Sequence, residues 1–243
     1  MSSRLRIDRL LVERGFFDSR AKAQAAIAAG LVRANGATVR KASDEVARDA
    51  AVEAVPAHPY VSRGGLKLTA ALDAFGFDPK ERICLDVGAS TGGFTQVLLE
   101  RGARRIYAVD VGRGQLHESL RGRPEVVSLE QTDARALSSA DFEETPDLVV
   151  IDVSFISLRH VLPAALALVL PPAQLVALIK PQFEAGREAV KKGVVRDPAV
   201  HRVVCDDIAN SVTSLGWHLA GIIPSPIEGG DGNREFLLGA THD

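Results

Sequence analysis

The stretch Ile83–Gly102, ICLDVGASTGGFTQVLLERG, decides how the rest of the chain is read. An apolar run closes on Asp86, a glycine turn follows, and apolar residues then recur at helical spacing. This is how the first strand, loop and helix of a nucleotide-type α/β domain read. Gly88, Gly92 and Gly93 allow a tight turn and close approach of a ligand to the backbone. Their spacing, G-x-x-x-G-G, fails the G-x-G-x-x-G of dinucleotide folds, and no Gly-Lys pair is present to make a phosphate loop. What remains is a loop for a cofactor without phosphates, for which S-adenosylmethionine is the expected occupant. The competing reading is a βα turn that binds nothing.

Around this unit the chain alternates strand and helix. Strands are predicted at Ile83–Val87, Arg105–Asp110, Glu125–Leu129, Leu148–Asp152 and Gln174–Ile179, with helices at Gly93–Arg101, Gln115–Leu120, Leu158–Leu170 and Pro198–Leu215. Two late strands, about Trp217–Pro224 and Glu235–Ala240, read as an antiparallel hairpin. The expected fold class is α/β, a doubly wound and mostly parallel sheet. The uncharged run Val161–Ile179 is nearly long enough for a bilayer, but Pro163, Pro171 and Pro172 divide it into a helix and a buried strand.

The first residues read differently. Arg6–Arg14 is a short helix with Leu10 and Leu11 inward, Ser19 caps a helix over Arg20–Ala29, and Gly30 closes it. Asn35-Gly36 marks a hairpin within Leu31–Val39, and another strand covers Ala51–Val55. Pro56-Ala-His-Pro59 makes an extended linker, so residues 1–59 form a small α+β domain and residues 60–243 the larger one. Beyond the linker, Val61–Lys67 reads as a Gly-Gly loop feeding a helix over Leu66–Phe75.

The formal net charge of −2 hides an asymmetry. Residues 1–43 carry nine Lys/Arg against three Asp/Glu, so a basic head precedes a mildly acidic body, which points to contact with a polyanion. The candidates for phosphate contact are Arg4, Arg6, Arg20, Lys22, Arg33, Arg40 and Lys41 in the head. Arg63, and a basic loop with Arg187, Lys191 and Lys192, add to them in the body. The glycines of that loop suggest that it moves over the bound polyanion. The two cysteines, Cys84 and Cys205, lack metal spacing and read as buried thiols of a reducing compartment, so no metal is expected. The start, MSSRLRIDRLLVERG, has no apolar signal-peptide core, and a cytoplasmic location is expected.

Ligands of such sheets bind beyond the carboxyl ends of the strands. Asp86, Asp110, Asp133, Asp152 and Lys180 stand at five successive strand ends. Asp110 can accept both ribose hydroxyls of an adenosine ligand, and Asp133 can accept from the adenine amino group. Lys180, directly after an apolar strand, needs a carboxylate partner or a chemical task, and Asp152 is its natural neighbour. The [DNS]-P-P-[FYW] signature of exocyclic amine methylation is replaced by Asp152-Val-Ser-Phe. No cysteine nucleophile stands at a strand end, so the expected acceptor is a hydroxyl.

The head segment IDRLLVERGFFDSRAKAQAAIAAGLVRANGATVRKAS resembles the ribosomal S4-type RNA-binding domain, and the body resembles the FtsJ-type 2′-O-methyltransferases. Their union, with SRGGLKL, LDVGASTGGFT, DVSFISL, KPQFEAGRE and GNREFLL, resembles the TlyA family over essentially the whole chain. The resemblance implies a Rossmann-like class I methyltransferase that uses S-adenosylmethionine on the 2′-hydroxyl of cytidine in ribosomal RNA. It implies a catalytic tetrad at Lys67, Asp152, Lys180 and Glu235. The implied cofactor contacts are the loop residues Gly88, Ala89, Ser90, Gly92, Gly93 and Phe94, with Asp86, Asp110, Val111, Asp133 and Ala134 at the strand ends. Lys180 would act as base or orient the hydroxyl, Asp152 would orient Lys180 and favour the sulfonium, and Lys67 and Glu235 would place the ribose. A large-subunit target is favoured and a small-subunit one is open within the family. Some members carry haemolysin names, but no uninterrupted apolar helix is available here for a pore. A pseudouridine synthase would leave the cofactor loop unexplained. A non-enzymatic ribosome-binding factor is the alternative that cofactor binding would discriminate.

Overall fold

A computed structural model of the chain describes residues 3–186 and 188–243. Contacts divide it into two compact units, Met1–Pro59 and Tyr60–Asp243.

In the first unit, β1 (Arg4–Arg6) leads directly into α1 (Ile7–Glu13), followed by α2 (Arg20–Ala28), β2 (Val32–Ala34), β3 (Ala37–Thr38), β4 (Glu45–Ala47) and β5 (Val52–Ala54). Ser19 caps α2 by accepting from Lys22 N, and Asn35 and Gly36 take the positive φ that the β2–β3 turn requires. Leu10, Leu11, Ile27 and Val32 close a small core. Two strands are absent from the sequence reading. β1 and β4 pair antiparallel, with Leu5 opposite Val46, and their three-residue lengths carry too little alternation to stand out.

The second unit begins with α3 (Gly64–Phe75). It continues through β6 (Ile83–Val87), α4 (Gly93–Glu100), β7 (Arg105–Asp110), β8 (Val126–Glu130), β9 (Leu148–Ile151), α5 (Leu158–Leu166) and β10 (Ala173–Ile179). The short α6 (Pro181–Glu184), α7 (Pro198–Ser214), β11 (His218–Pro224) and β12 (Phe236–His242) complete it. The sheet order is β11-β12-β10-β9-β6-β7-β8. β6 to β10 are parallel, and β12 runs antiparallel between β10 and β11.

The apolar runs of the central strands follow from burial on both faces. Ile83, Leu85 and Val87 of β6 and Val149 and Ile151 of β9 face the layer of α5 and α7. Cys84, Leu148 and Val150 face α3 and α4. The chain leaves β6 toward β7 on one side and returns to pair β9 on the other. The switch point between β6 and β9 is therefore where a ligand crevice opens.

Three local expectations are corrected. Gly64 and Gly65 are not loop but the first turn of α3; Gly65 packs so closely on the Tyr60 ring that a Cβ there would collide with it. Gln115–Leu120 is not a helix. The Glu130 carboxylate accepts from the backbone N–H groups of Gly114, Gln115 and Leu116, at 2.5, 2.6 and 2.9 Å, and holds the segment as turns. The helix begun at Leu158 stops at Leu166 and does not reach Leu170.

Candidate active site

The carboxyl ends of the parallel strands meet in register. Val87 lies opposite Ile151 and Ile151 opposite Ala177, so the residues following β6, β9 and β10 share one rim. Ile179 of β10 pairs with Phe236 of β12, which brings Glu235 alongside Lys180. Three cavities of about 500, 300 and 560 Å³ run along this rim. The first two share Gly88, Ser90, Asp152 and Ser154. The last two share Arg63, Lys67, Ser154 and Lys180.

The first cavity has the furnishings of a nucleoside site. Asp110 ends β7, and its carboxylate accepts from Ser90 N at 2.8 Å and Gly112 N at 2.7 Å, which ties the glycine loop to the next strand. Val111 is 73% exposed and so presents an apolar face to the cavity, which Asp133 and Ala134 also line. Asp133 caps a 3-10 turn and is engaged by Arg135, 2.6 Å away, which holds its carboxyl down to about 2. Gly88 sits at φ 85°, and a side chain there would strike the backbone carbonyl of Asp152. Ala89, Ser90, Gly93 and Phe94 line the neighbouring cavity, whereas Gly92 and Asp86 line neither.

Asp86 lies behind the loop and not at the strand end. It is fully buried and accepts from Thr95 Oγ1 at 2.6 Å, while its other oxygen, Oδ1, has no hydrogen-bond partner. Burial pushes its carboxyl up to about 7 against the Thr95 hydrogen bond, and the charges of Asp152 and Asp110 add to the rise. The carboxylates of Asp110 and Asp152 on the cavity wall and a loop without room for a Cβ suit a ligand carrying positive charge and an adenosine. That description fits the sulfonium cofactor expected from the loop.

The four tetrad positions come together as two ion pairs. Lys180 Nζ is 2.6 Å from Asp152 Oδ1 and donates to Ser154 Oγ at 2.8 Å. Lys67 Nζ is 2.5 Å from Glu235 Oε2. Both lysines are 8% exposed, so each pair is held away from bulk solvent. Two residues that the sequence reading passed over also shape the site. Phe155, φ 64° and 91% exposed, stands at the mouth of both large cavities and tilts against Phe183 with ring centroids 5.1 Å apart. Glu184 accepts from Ser157 Oγ and Leu158 N, at 2.5 and 2.7 Å, and so ties α6 to the start of α5. The run Asp152-Val-Ser-Phe contained the first signal, an aromatic where a loop residue was expected.

The basic candidates divide. Arg6 and Arg20 both donate to Asp8, with closest contacts of 3.1 and 2.7 Å, and Gln24 adds a third donor at 2.9 Å. Burial alone would raise the Asp8 carboxyl, but these hydrogen bonds outweigh it and hold the group well below the usual range. Lys22 pairs with Asp18 at 2.7 Å, and Arg4 donates to the Glu45 carbonyl. Arg33, Arg40, Lys41, Arg63, Lys191 and Lys192 are exposed, and Arg187 lies outside the described residues. The loop of Lys191 and Lys192 is tied to the Gly230 turn at Gly193 and Val195. Asn233 Nδ2 donates to the carbonyls of Gly193 and Gly230 at 2.9 and 3.1 Å, and Asn233 Oδ1 accepts from Val195 N at 3.2 Å. Among the described residues no group of His, Cys, Asp or Glu is placed to hold a metal, and no helix is long and apolar enough to cross a membrane.

A nucleoside cavity at the switch point, opening onto paired lysines and carboxylates, is the arrangement of a methyltransferase. The FtsJ-like methyltransferase model matches residues 60–242, and the S4 domain model matches residues 5–52. The chain belongs to the TlyA family of FtsJ-like methyltransferases that carry an S4 domain. It is 48% identical over 241 residues to the rRNA methyltransferase YqxC of Bacillus subtilis, covering 98% of this chain and 85% of that one. It is 46% identical to the 16S/23S rRNA (cytidine-2′-O)-methyltransferase TlyA of Mycobacterium tuberculosis, covering 98% and 90%. A solved structure described as a hemolysin from Streptococcus thermophilus superposes with TM-score 0.79 at 41% identity, covering 100% and 90%.

Proposed function

We propose that the protein transfers a methyl group from S-adenosylmethionine to the ribose 2′-hydroxyl of a cytidine in ribosomal RNA in the cytoplasm, with the large subunit as the favoured target. The observation that carries the reading is that Lys67 and Lys180 line both the small cavity beside the nucleoside site, together with Asp152, and the second large cavity, together with Glu235. Relatives nearly half identical over the full chain carry that activity in their names.

The cofactor supplies an electrophilic methyl on a positively charged sulfur. Asp110 and Ser90 hold the adenosine end, and the carboxylates of Asp152 and Asp110, which line the nucleoside cavity, favour the positive charge. The target nucleotide enters the cavity lined by Lys67, Lys180, Gln182 and Glu235, where the exposed Phe155 ring offers a face on which its base can stack. Lys67, fixed by Glu235, orients the ribose. Lys180 first gives up a proton to water and then takes the hydroxyl proton as the oxygen attacks. Placement supplies most of the acceleration for such a displacement. Arg33, Arg40 and Lys41 of the S4 unit, with Arg63, Lys191 and Lys192, contact phosphates and position the RNA without reading its sequence.

The test is methylation of purified large and small ribosomal subunits, with mass-spectrometric mapping of 2′-O-methylcytidine. The native chain is expected to modify a cytidine at the ribose, and Lys180→Ala to abolish this while binding S-adenosylmethionine nearly as before. Methyl transfer to a base, or substantial turnover by Lys180→Ala, would overturn the assignment.

A further inference from the structure

The geometry points to Ser154 as a positioning residue that aims the lone pair of Lys180 at the ribose hydroxyl. This rests on the reading of Lys180 as proton acceptor. Once Lys180 has given up a proton, Nζ carries two N–H bonds and one lone pair, arranged tetrahedrally with the Cε bond. Asp152 Oδ1 at 2.6 Å fixes one N–H. If that were the sole constraint, rotation about the Cε–Nζ bond would be limited but the lone pair could take either remaining direction. Ser154 Oγ at 2.8 Å accepts the second N–H, which leaves a single direction for the lone pair.

The position of Ser154 supports this role. It lines all three cavities of the rim, so its hydroxyl stands where cofactor and target nucleotide must meet. Its residue is exposed and belongs to no packed cluster, and Lys180 is the partner its side chain holds. It follows Asp152 by two residues, so one loop supplies both acceptors and keeps their separation fixed. In the step, the 2′-oxygen forms a bond to the methyl carbon with its electron pair. The carbon–sulfur bond breaks with its pair going to sulfur, which becomes neutral, and the hydroxyl proton passes to Lys180. The products are the 2′-O-methyl ribose, S-adenosylhomocysteine and the Lys180 ammonium, which then returns its proton to water.

The experiment is steady-state methylation of isolated large ribosomal subunits by the full chain with radiolabelled S-adenosylmethionine, comparing native protein, Ser154→Ala, Ser154→Thr and Lys180→Ala. Ser154→Ala is expected to lower kcat about tenfold, the scale of one hydrogen bond to a functional polar group. KM for both substrates should stay within about twofold, because the pair orients a reacting atom and adds no uniform binding. Ser154→Thr retains the hydroxyl, so kcat is expected to return. A native kcat for Ser154→Ala, a loss borne by KM, or a Thr variant as slow as the Ala variant would overturn the inference alone, provided Lys180→Ala is inactive. Substantial turnover by Lys180→Ala would overturn both this inference and the reading of Lys180.

Discussion

Replacing Asp86 by Asn is expected to stabilise the protein, and by more at alkaline than at acid pH. Asp86 is fully buried, keeps one oxygen on Thr95 and leaves the other without a partner. Its carboxyl is pushed up to about 7 by that burial, against about 3.9 for an exposed aspartate. A carboxyl raised in the folded state contributes stability that is whole below about pH 4 and is lost as pH rises through about 7. The three-unit gap corresponds to about 4 kcal/mol over that whole window, as an upper bound. Between pH 5 and pH 8 the native chain traverses roughly three-fifths of it, about 2.5 kcal/mol. Asn has no charge to bury and retains an oxygen for the Thr95 hydroxyl, so its advantage should grow by that amount between the two pH values. Urea unfolding followed by the single, buried Trp217 reports on the unit that contains Asp86. An advantage equal at pH 5 and pH 8, or shrinking with pH, would refute the assignment of a neutral buried acid.

Two further outcomes are expected. Asp8→Asn leaves the Arg6 and Arg20 guanidiniums without their shared anion and should loosen the head by about 2 kcal/mol near neutral pH. The native contribution is present above about pH 4 and fades as pH falls below the carboxylate range. Hydrogen exchange should rise in α1 and α2 and stay unchanged in β6 and β9, and equal protection throughout would count against the clamp. Asn233→Ala removes the two hydrogen bonds that join the Lys191–Val195 loop to the Gly230 turn and a third within that turn. It should lower kcat/KM for ribosomal subunits about tenfold with an unchanged Kd for S-adenosylmethionine by calorimetry, and a loss confined to the cofactor would contradict it.

The central sheet was legible because strands buried on both faces must be apolar throughout, as Leu148–Ile151 and Ala173–Ile179 are. Lys180 and Asp152 could be paired from sequence because β10 and β9 are neighbours and each residue follows its strand directly. The contact of Lys67 with Glu235 had no such local signature, since a helix start and a strand start many residues apart share no pattern. Only the motifs GGLKL and GNREF, through their resemblance, brought these residues forward. The turns at Gln115–Leu120 misled because a helix-like pattern says nothing of a distant Glu130 that takes over the backbone donors. Arg6 and Arg20 read as free surface cations because the buried Asp8 between them looks, in sequence, like any helix-start aspartate.

Lys67 and Glu235 touch across a separation of 168 residues, and the strand that Glu235 introduces lies inside the sheet, flanked by β10 and β11. During synthesis the cofactor loop, Lys67, Asp152 and Lys180 all leave the ribosome first, while the slot for β12 stays open. The Lys67–Glu235 pair therefore forms late and at once, when β12 enters its slot. A nascent chain still attached to a ribosome, surrounded by potential substrate, lacks that pair until β12 has emerged.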